Sequence, residues 1–163
     1  MYLFAPTDSW KIQFQQEALA LELASIVAVE YLHIGSTAVA GLYAKNVIDI
    51  LGLVTREDDA NKLAPALAAT GYEYRGDYGI AGRHYFVKNA AVKVHLHIYC
   101  QGNQHALNHL WFVECMTQHP EYVHELNTLK MALHQQYPND KALYQAGKHE
   151  FYQRIMRLRP APL

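Results

Sequence analysis

An eight-residue apolar run, Val47–Val54, constrains the fold of this chain more than any other segment. Only Asp49 and Gly52 interrupt the run. A continuous apolar stretch of this length is typical of a central strand that is buried on both faces. The run therefore predicts a sheet covered by helices on both sides, and it places one carboxylate, Asp49, within a buried strand.

Helix and strand patterns alternate through the first hundred residues. Helical spacing of apolar residues predicts helices from Thr7 or Asp8 to about Leu23 and over 57–70. Strands are predicted over 26–34, 47–54, 72–75, 83–88 and 92–100. From residue 102 onward only helical patterns occur, over 104–118, 119–136 and 140–158. We therefore expect an α/β (α+β) fold in one domain, 1–163, in which a helical part over 102–163 packs on an α/β part over 1–101.

Composition narrows the class of protein. The 163 residues are 51% hydrophobic and 18% charged, which suffices for one core. The net charge of −1 gives no basic field, so we expect no nucleic-acid partner. Two cysteines indicate buried thiols in a reducing compartment. No apolar run reaches the ~18 residues of a membrane helix, and the first residues lack the features of a signal peptide. The expected location is cytoplasmic, away from membranes.

Gly35, Ser36 and Thr37 follow the predicted strand 26–34 and form a candidate phosphate-binding turn. Such a turn offers backbone N–H groups and a hydroxyl, which together can hold a phosphate oxygen. Asp49 follows Ser36 by thirteen residues and could hold the metal ion that accompanies the phosphate. A structural alternative fits the same residues, with Gly35 relieving backbone strain and Ser36 capping a short helix.

His95 and His97 form a second candidate cluster, in the strand predicted over 92–100. Side chains two apart on a strand share a face, so both imidazoles point away from the apolar residues that alternate with them. Neighbouring imidazoles can bind a metal, accept protons or hydrogen-bond a substrate. If the strand of Asp49 lies beside this one, the three side chains converge. The alternative is a solvated sheet face.

Two cations and an aromatic residue lie close to these motifs in sequence. Lys45 precedes the strand of Asp49, and Arg83 follows a glycine-rich loop, so both are candidates to contact a polyphosphate. Tyr85 shares a strand face with Arg83 and is a candidate to stack on a base. The simpler alternatives are ordinary surface charges for the cations and a core position for the tyrosine.

Other polar residues receive structural interpretations. His105 and His109 stand four apart on a predicted helix, which is metal-ligand spacing, but no acidic or sulfur partner is close in sequence. We therefore predict a surface pair. Lys148 and His149 are expected on a solvated helix face.

Several motifs between about Trp10 and about Arg157 occur together in this chain. They include His33-Ile34-Gly35-Ser36-Thr37-Ala38-Val39, Gly41-Leu42, Ala44-Lys45, Ile48-Asp49-Ile50-Leu51, Gly71-Tyr72, Gly82-Arg83, Tyr85-Phe86 and His95-Leu96-His97. As a set they resemble the GrpB family. The resemblance implies a nucleotidyltransferase-like mixed sheet flanked by helices, with a helical C-terminal part. Folds of this type present a triphosphate to a metal from a Gly-Ser turn and a carboxylate on the following strand.

The chain departs from the wider nucleotidyltransferase pattern at its metal site. Active members place a second carboxylate two residues after the first, so that two Mg²⁺ ions can be held. That position is Leu51 here, and His95 and His97 stand where a third carboxylate is expected. Mg²⁺ prefers oxygen ligands, whereas Zn²⁺, Mn²⁺ and Ni²⁺ accept imidazole. We expect one divalent metal (Mg, Mn, Zn or Ni) on Asp49, His95 and His97.

The leading functional hypothesis is an enzyme that transfers a nucleoside monophosphate to a small acceptor. Its predicted catalytic and metal-binding residues are Asp49, His95 and His97, and its predicted ligand-binding residues are Gly35, Ser36, Thr37, Lys45, Arg83 and Tyr85. Two alternatives remain: an inactive nucleotide- or metabolite-binding module, and a His/Asp metal-dependent hydrolase. In each case the expected partner is a small-molecule nucleotide or another phosphate-bearing ligand.

Overall fold

A computed structural model describes residues 2–161 and contains one five-stranded mixed sheet. Its strands are β1 (Glu30–Ile34), β2 (Val47–Val54), β3 (Glu73–Tyr74), β4 (His84–Lys88) and β5 (Lys93–Cys100). They lie in the order β1-β2-β5-β4-β3. The central pair, β2 and β5, is parallel, and every other neighbouring pair is antiparallel. The predicted mixed sheet is confirmed, and the strand of Asp49 is an interior strand between β1 and β5.

Six α-helices accompany the sheet within the described residues. They are α1 (Ser9–Ala24), α2 (Glu57–Ala68), α3 (Gln104–Gln118), α4 (Pro120–Gln136), α5 (Lys141–Ala146) and α6 (His149–Arg157). Helices α1 and α2 contact one face of the sheet, and α3 contacts β1 and β2. None of the helices between residues 2 and 161 has the length and apolar composition that crossing a membrane requires.

The two faces of β2 carry different residues because successive side chains alternate across the sheet. Ile48 and Ile50 are fully buried in the main core, together with residues of α1, α2 and β5. On the opposite face, Leu51 packs with Ile34, Tyr99 and Ala106 beneath α3. Asp49 lies on this second face, where helices cover the sheet incompletely.

A third apolar cluster joins the helical part to the loop that follows β1. Val39 and Leu42 of that loop pack with Phe112, Cys115, Met116, Leu126, Phe151 and Ile155. The helices α3, α4 and α6 are therefore fixed against the turn that begins at Gly35. This packing positions side chains of the helical part next to Asp49.

The strand predicted over 26–34 is shorter in the structure. It begins at Glu30, because α1 ends at Ala24 and Ser25 donates from its backbone N–H and its hydroxyl to the carbonyl of Leu21. The chain needs the intervening residues to bend from the helix into the sheet. Ile26 is exposed within that bend.

The single helix predicted over 140–158 is wrong, because the chain breaks it into α5 and α6. The break lies at Gly147 and Lys148. A Cβ atom on Gly147 would clash with the side chain of Leu133 on α4, so any other residue here would force that side chain to shift. The break reorients the chain and buries Lys148, which contradicts its predicted place on a solvated helix face.

Candidate functional site

The parallel pairing of β2 and β5 brings Asp49 and the two histidines together. Asp49 is the register partner of His95, and Leu51 is the partner of His97. Asp49 Oδ1 lies 3.3 Å from His95 Nδ1 and 3.6 Å from His97 Nε2. The adjacency that the sequence left open is therefore present in the fold, and three side chains of types that can ligate a metal share one sheet face.

The turn at Gly35 lies directly against the Asp49 carboxylate. Gly35 has φ +73°, and a Cβ there would stand 2.9 Å from Asp49 Oδ2. Both the backbone conformation and the close approach require glycine. Ser36 then begins a 3₁₀ helix, Ser36–Ala38. The Thr37 hydroxyl in this helix donates to the carbonyl of Val47 and accepts a hydrogen bond from His33 Nε2. The turn thus has the short helix of the structural alternative and also borders the carboxylate.

Electrostatics favour an ionised Asp49. Burial opposes ionisation of the carboxyl, but hydrogen bonds and charge from His95 and His97 outweigh it and hold its pKa well below the usual range. The imidazoles thus stabilise the carboxylate form, which is also the form that ligates a metal.

The three side chains fit a single divalent metal ion. One ligand atom from each lies within 4.8 Å of the others. Tetrahedral ligands on bonds of about 2.1 Å stand roughly 3.4 Å apart, which is close to the two Asp49–histidine distances. Two imidazole nitrogens and one carboxylate oxygen suit Zn²⁺, Mn²⁺ or Ni²⁺ better than Mg²⁺. The position that would carry a second carboxylate, Leu51, is fully buried in apolar packing.

Lys130 of α4 reaches the other side of the Gly35 turn. Its ammonium donates to Ser36 Oγ at 2.9 Å and to the Tyr43 carbonyl at 2.6 Å, and the residue is only 2% exposed. Burial lowers the pKa of Lys130 to about 7, and the charges of Lys148 and Lys45 add to this effect. A buried cation surrounded by other cations favours a bound anion at this position.

Lys148 and Lys45 complete a group of three lysines. Burial, followed by the charge of Lys45, lowers the pKa of Lys148 to about 8. Burial and the charge of Lys141 also lower the pKa of Lys45, although Asp49 opposes them. Both ammonium groups lie over the ring of Tyr144, at 5.8 Å for Lys45 and 4.4 Å for Lys148. We call Lys45, Lys130 and Lys148 the lysine group.

One cavity of about 600 Å³ connects these features. Its first end is lined by the lysine group, Ser36, Tyr144 and Tyr152. Asp49 and His95 line its middle, and Tyr99, His105, Asn108 and His109 line the end beneath α3. Such a volume is within the range of small-molecule sites. The cavity therefore offers cations, a metal-ligating group and a polar wall to one ligand.

Arg83 and Tyr85 occupy other surroundings than those predicted. Arg83 is buried, donates from Nε to the Asp77 carbonyl and from Nη2 to the Tyr78 carbonyl, and lies 4.6 Å from the ring centre of Tyr85. Tyr85 stacks with Tyr78 on one side and contacts His97 on the other. Neither Arg83 nor Tyr85 is among the described residues that line the cavity. Arg83 instead ties together the glycine-rich loop 76–82.

Sequence reasoning gave Lys130 no role at the site, and it misplaced Lys148 and His109. On α4, Lys130 occupies an apolar stripe between Leu126 and Leu133, and this pattern was a usable signal. His109 was predicted on the surface, yet its ring centre lies 5.3 Å from that of His97. Burial lowers the pKa of His109 to about 4, and the charge of His97 adds to the shift. His105 is exposed, as predicted, but it also lines the cavity.

Comparisons with known proteins give matches over most of this chain. The model of a family described as GrpB protein matches residues 1–158. Glutamate-rich protein GrpB of Alkalihalophilus pseudofirmus is 30% identical over 94% of this chain and 92% of its own length. UPF0157 protein YqkA of Bacillus subtilis is 34% identical over 88% of this chain but only 43% of its own length. The chain thus spans less than half of that relative.

Solved structures show the same fold. Conserved protein GrpB from Enterococcus faecalis superposes with a TM-score of 0.87 and 33% identity, over 95% of this chain and 94% of that protein. Cid1 poly(U) polymerase in an MgATP-bound crystal structure gives a TM-score of 0.57 at 16% identity, over 88% of this chain and 50% of the polymerase. At that identity the likeness concerns the fold alone, which is nucleotidyltransferase-like.

Proposed function

The chain belongs to the GrpB family, and we propose that it binds a nucleotide or another phosphate-bearing ligand together with one divalent metal ion. We further propose that it transfers a nucleoside monophosphate from this ligand to a small acceptor. The single observation that carries the proposal is the lysine group, because three ammonium groups line one cavity beside the carboxylate of Asp49.

The lysine group is unfavourable without an anion. Like charges repel, and burial removes part of the hydration of the ammonium groups. Both effects lower the pKa values of Lys130 and Lys148. A polyphosphate supplies several negative oxygens and relieves both costs. Ser36, held by Lys130 at 2.9 Å, adds a hydroxyl to the same position. We therefore assign the terminal phosphates to this end of the cavity.

Asp49, His95 and His97 would hold the metal ion at the middle of the cavity. When bound, the ion supplies Lewis-acid stabilisation of charge on a phosphate oxygen. The similarity of the fold to a polymerase that was crystallised with MgATP supports a nucleotide ligand. The donor set of this chain, with two imidazoles, favours Mn²⁺ or Zn²⁺ over Mg²⁺.

In the proposed transfer, an acceptor hydroxyl oxygen attacks the α-phosphorus of a nucleoside triphosphate. A new oxygen–phosphorus bond forms, the bond to the β-phosphate oxygen breaks, and pyrophosphate leaves while the hydroxyl proton passes to solvent. The lysine group and Ser36 stabilise the charge that grows on the departing pyrophosphate. Positioning and electrostatics of this kind provide most of the catalysis in phosphoryl transfer.

Leu51 supports a second candidate function, a binding module without turnover. Two-metal transfer requires a second carboxylate on this strand face, and a buried leucine cannot provide one. Such a module would keep the lysine group and the single metal position but would leave the nucleotide intact. Release of pyrophosphate from ATP in the presence of Mn²⁺ distinguishes the enzyme from the module.

Isothermal titration of the wild type and the Asp49→Ala variant tests the proposed binding. The wild type should bind Mn²⁺ or Zn²⁺, and it should bind ATP more tightly when the metal is present. Asp49→Ala should lose the metal and the metal-dependent part of the ATP affinity, while Asp58→Ala, exposed on α2, should behave as the wild type. Equal metal and ATP affinities in the wild type and Asp49→Ala would contradict the proposal.

A further inference from the structure

The end of the cavity beneath α3 contains a buried hydroxyl without a protein partner. Tyr99 is fully buried and lines the cavity, and its hydroxyl makes no hydrogen bond to any residue between 2 and 161. The Nδ1 atom of His97, two residues earlier on the same strand face, is also buried without a partner in that range. Buried polar atoms are seldom left unsatisfied, so these two call for a hydrogen-bonding group from outside the chain.

Three polar side chains of α3 line the same cavity as Tyr99. The ring of His105 is stacked on Tyr99 with its centre at 6.2 Å, and the ring centre of His109 lies at 6.4 Å. Asn108 completes the wall, and its Oδ1 accepts a hydrogen bond from Arg159 Nη1. That bond fixes the amide and leaves its NH₂ group to donate elsewhere. The end is thus polar and aromatic, in contrast to the cationic end.

Asp49 lies between the two ends. Its Oδ2 side packs against Gly35, which leads to Ser36 and Lys130, and its Oδ1 side faces His97, which contacts His109. A ligand whose phosphates contact the lysine group and the metal position therefore extends toward Tyr99. The group at that point must offer atoms that both donate and accept hydrogen bonds, as hydroxyls do.

We propose that Tyr99, Asn108 and His109 form a subsite for the sugar hydroxyls of the bound nucleotide. The inference rests on the proposed function, since it takes the phosphates to lie on the lysine group. It adds that the protein recognises a nucleoside polyphosphate rather than polyphosphate alone. The Tyr99 hydroxyl bonds to a ribose hydroxyl, and the Asn108 amide donates to the same sugar.

The test compares three probes by isothermal titration with Mn²⁺ present: tripolyphosphate, ATP and 2′,3′-dideoxy-ATP. The wild type should bind ATP more tightly than dideoxy-ATP by about 2- to 10-fold, the range expected for one neutral hydrogen bond. Tyr99→Phe should abolish this ratio and leave the tripolyphosphate affinity unchanged. Its Tm should equal or exceed that of the wild type, because the variant removes a buried hydroxyl that has no protein partner.

Tyr31→Phe serves as the matched control. The Tyr31 hydroxyl is also buried, but it hydrogen-bonds Ser25 at 2.7 Å in the main core. This variant should lower the Tm and leave all three affinities unchanged. An unchanged ratio of ATP to dideoxy-ATP affinity in Tyr99→Phe would overturn the sugar subsite while the phosphate site stands. A wild type that binds neither tripolyphosphate nor ATP would overturn the proposed function, and the subsite with it.

Discussion

The two sides of Asp49 are built by different kinds of structure. On the histidine side, the ligands come from neighbouring strands whose register fixes their spacing, since Asp49 pairs directly with His95. On the lysine side, each cation comes from a separate element: Lys45 from a loop, Lys130 from α4 and Lys148 from the break before α6. Only the packing of the helical part on the Gly35 turn brings those three together. The comparison separates the proposed metal site from the proposed anion site within one cavity.

The largest effect expected is on the histidine side. His95→Ala removes one of three protein ligands, so the affinity for Mn²⁺ or Zn²⁺ should fall by at least about 100-fold, beyond the 10- to 100-fold cost typical of losing an outer-shell partner. Affinity for tripolyphosphate without metal should stay within twofold. Isothermal titration measures both.

His124→Ala is the control for this variant, because His124 is exposed on α4 away from the sheet. It should match the wild type in both titrations. If His95→Ala lowered the affinity for tripolyphosphate as strongly as the affinity for the metal, the two sides of Asp49 would act as one unit and not as separate sites.

Lys130→Met tests the lysine side in the same way. The ammonium of Lys130 is buried beside Ser36, and a charged hydrogen bond of this kind contributes about 1.5–3 kcal/mol. Tripolyphosphate affinity should therefore fall by about 10- to 100-fold. Metal affinity should not change, because Lys130 does not belong to the metal-ligating group. Lys62→Met, on the exposed face of α2, provides the control. Equal loss in both lysine variants would show a nonspecific charge effect.

The histidine side was largely predictable from sequence, whereas on the lysine side only Lys45 was predicted. Period-two alternation along β5 places His95 and His97 on one face from local information alone. Whether β5 lies beside β2 depends on the chain topology, which only the family resemblance indicated. Lys148 was placed on a solvated face because a lysine is usually solvated. For Lys130 the apolar neighbours Leu126 and Leu133 on α4 were the one local sign of burial. The break between α5 and α6 was not predicted either. Gly147 has an ordinary helical conformation, and its close approach to Leu133 is visible only in the folded structure.

The pH dependence of anion binding sharpens the comparison further. In the ligand-free protein, burial lowers the pKa of Lys130 to about 7 and that of Lys148 to about 8. A bound anion favours the charged form of both amines, so binding above pH 7 is coupled to proton uptake. For each proton taken up, the affinity falls by up to tenfold for every unit of pH increase. Tripolyphosphate should bind about tenfold or more weakly at pH 9 than at pH 7. Titrations in two buffers of different ionisation enthalpy report the uptake directly.

The stability of the ligand-free protein should increase with pH, whereas the affinity for the anion should decrease. Both lysines titrate below their ordinary value of 10.5 in the folded state, so the unfolded chain binds more protons between pH 7 and 10. The free energy of unfolding should therefore receive a rising contribution from these lysines as the pH increases over that range. Lys130→Met should reduce both the rise and the proton uptake. Wild-type uptake that persists in Lys130→Met would assign the protons to other groups.

The smallest effect on anion binding is expected for Arg83, a cation outside both sides. Its guanidinium donates to two carbonyls of the glycine-rich loop and stacks on Tyr85, so its hydrogen bonds serve the fold. Arg83→Met should lower the free energy of unfolding by about 1–3 kcal/mol, because the carbonyls of Asp77 and Tyr78 lose a charged donor. Tripolyphosphate affinity should stay within twofold, as judged by titration below the lowered Tm. A tenfold loss of affinity with unchanged stability would place Arg83 on the ligand and extend the cationic wall beyond the lysine group.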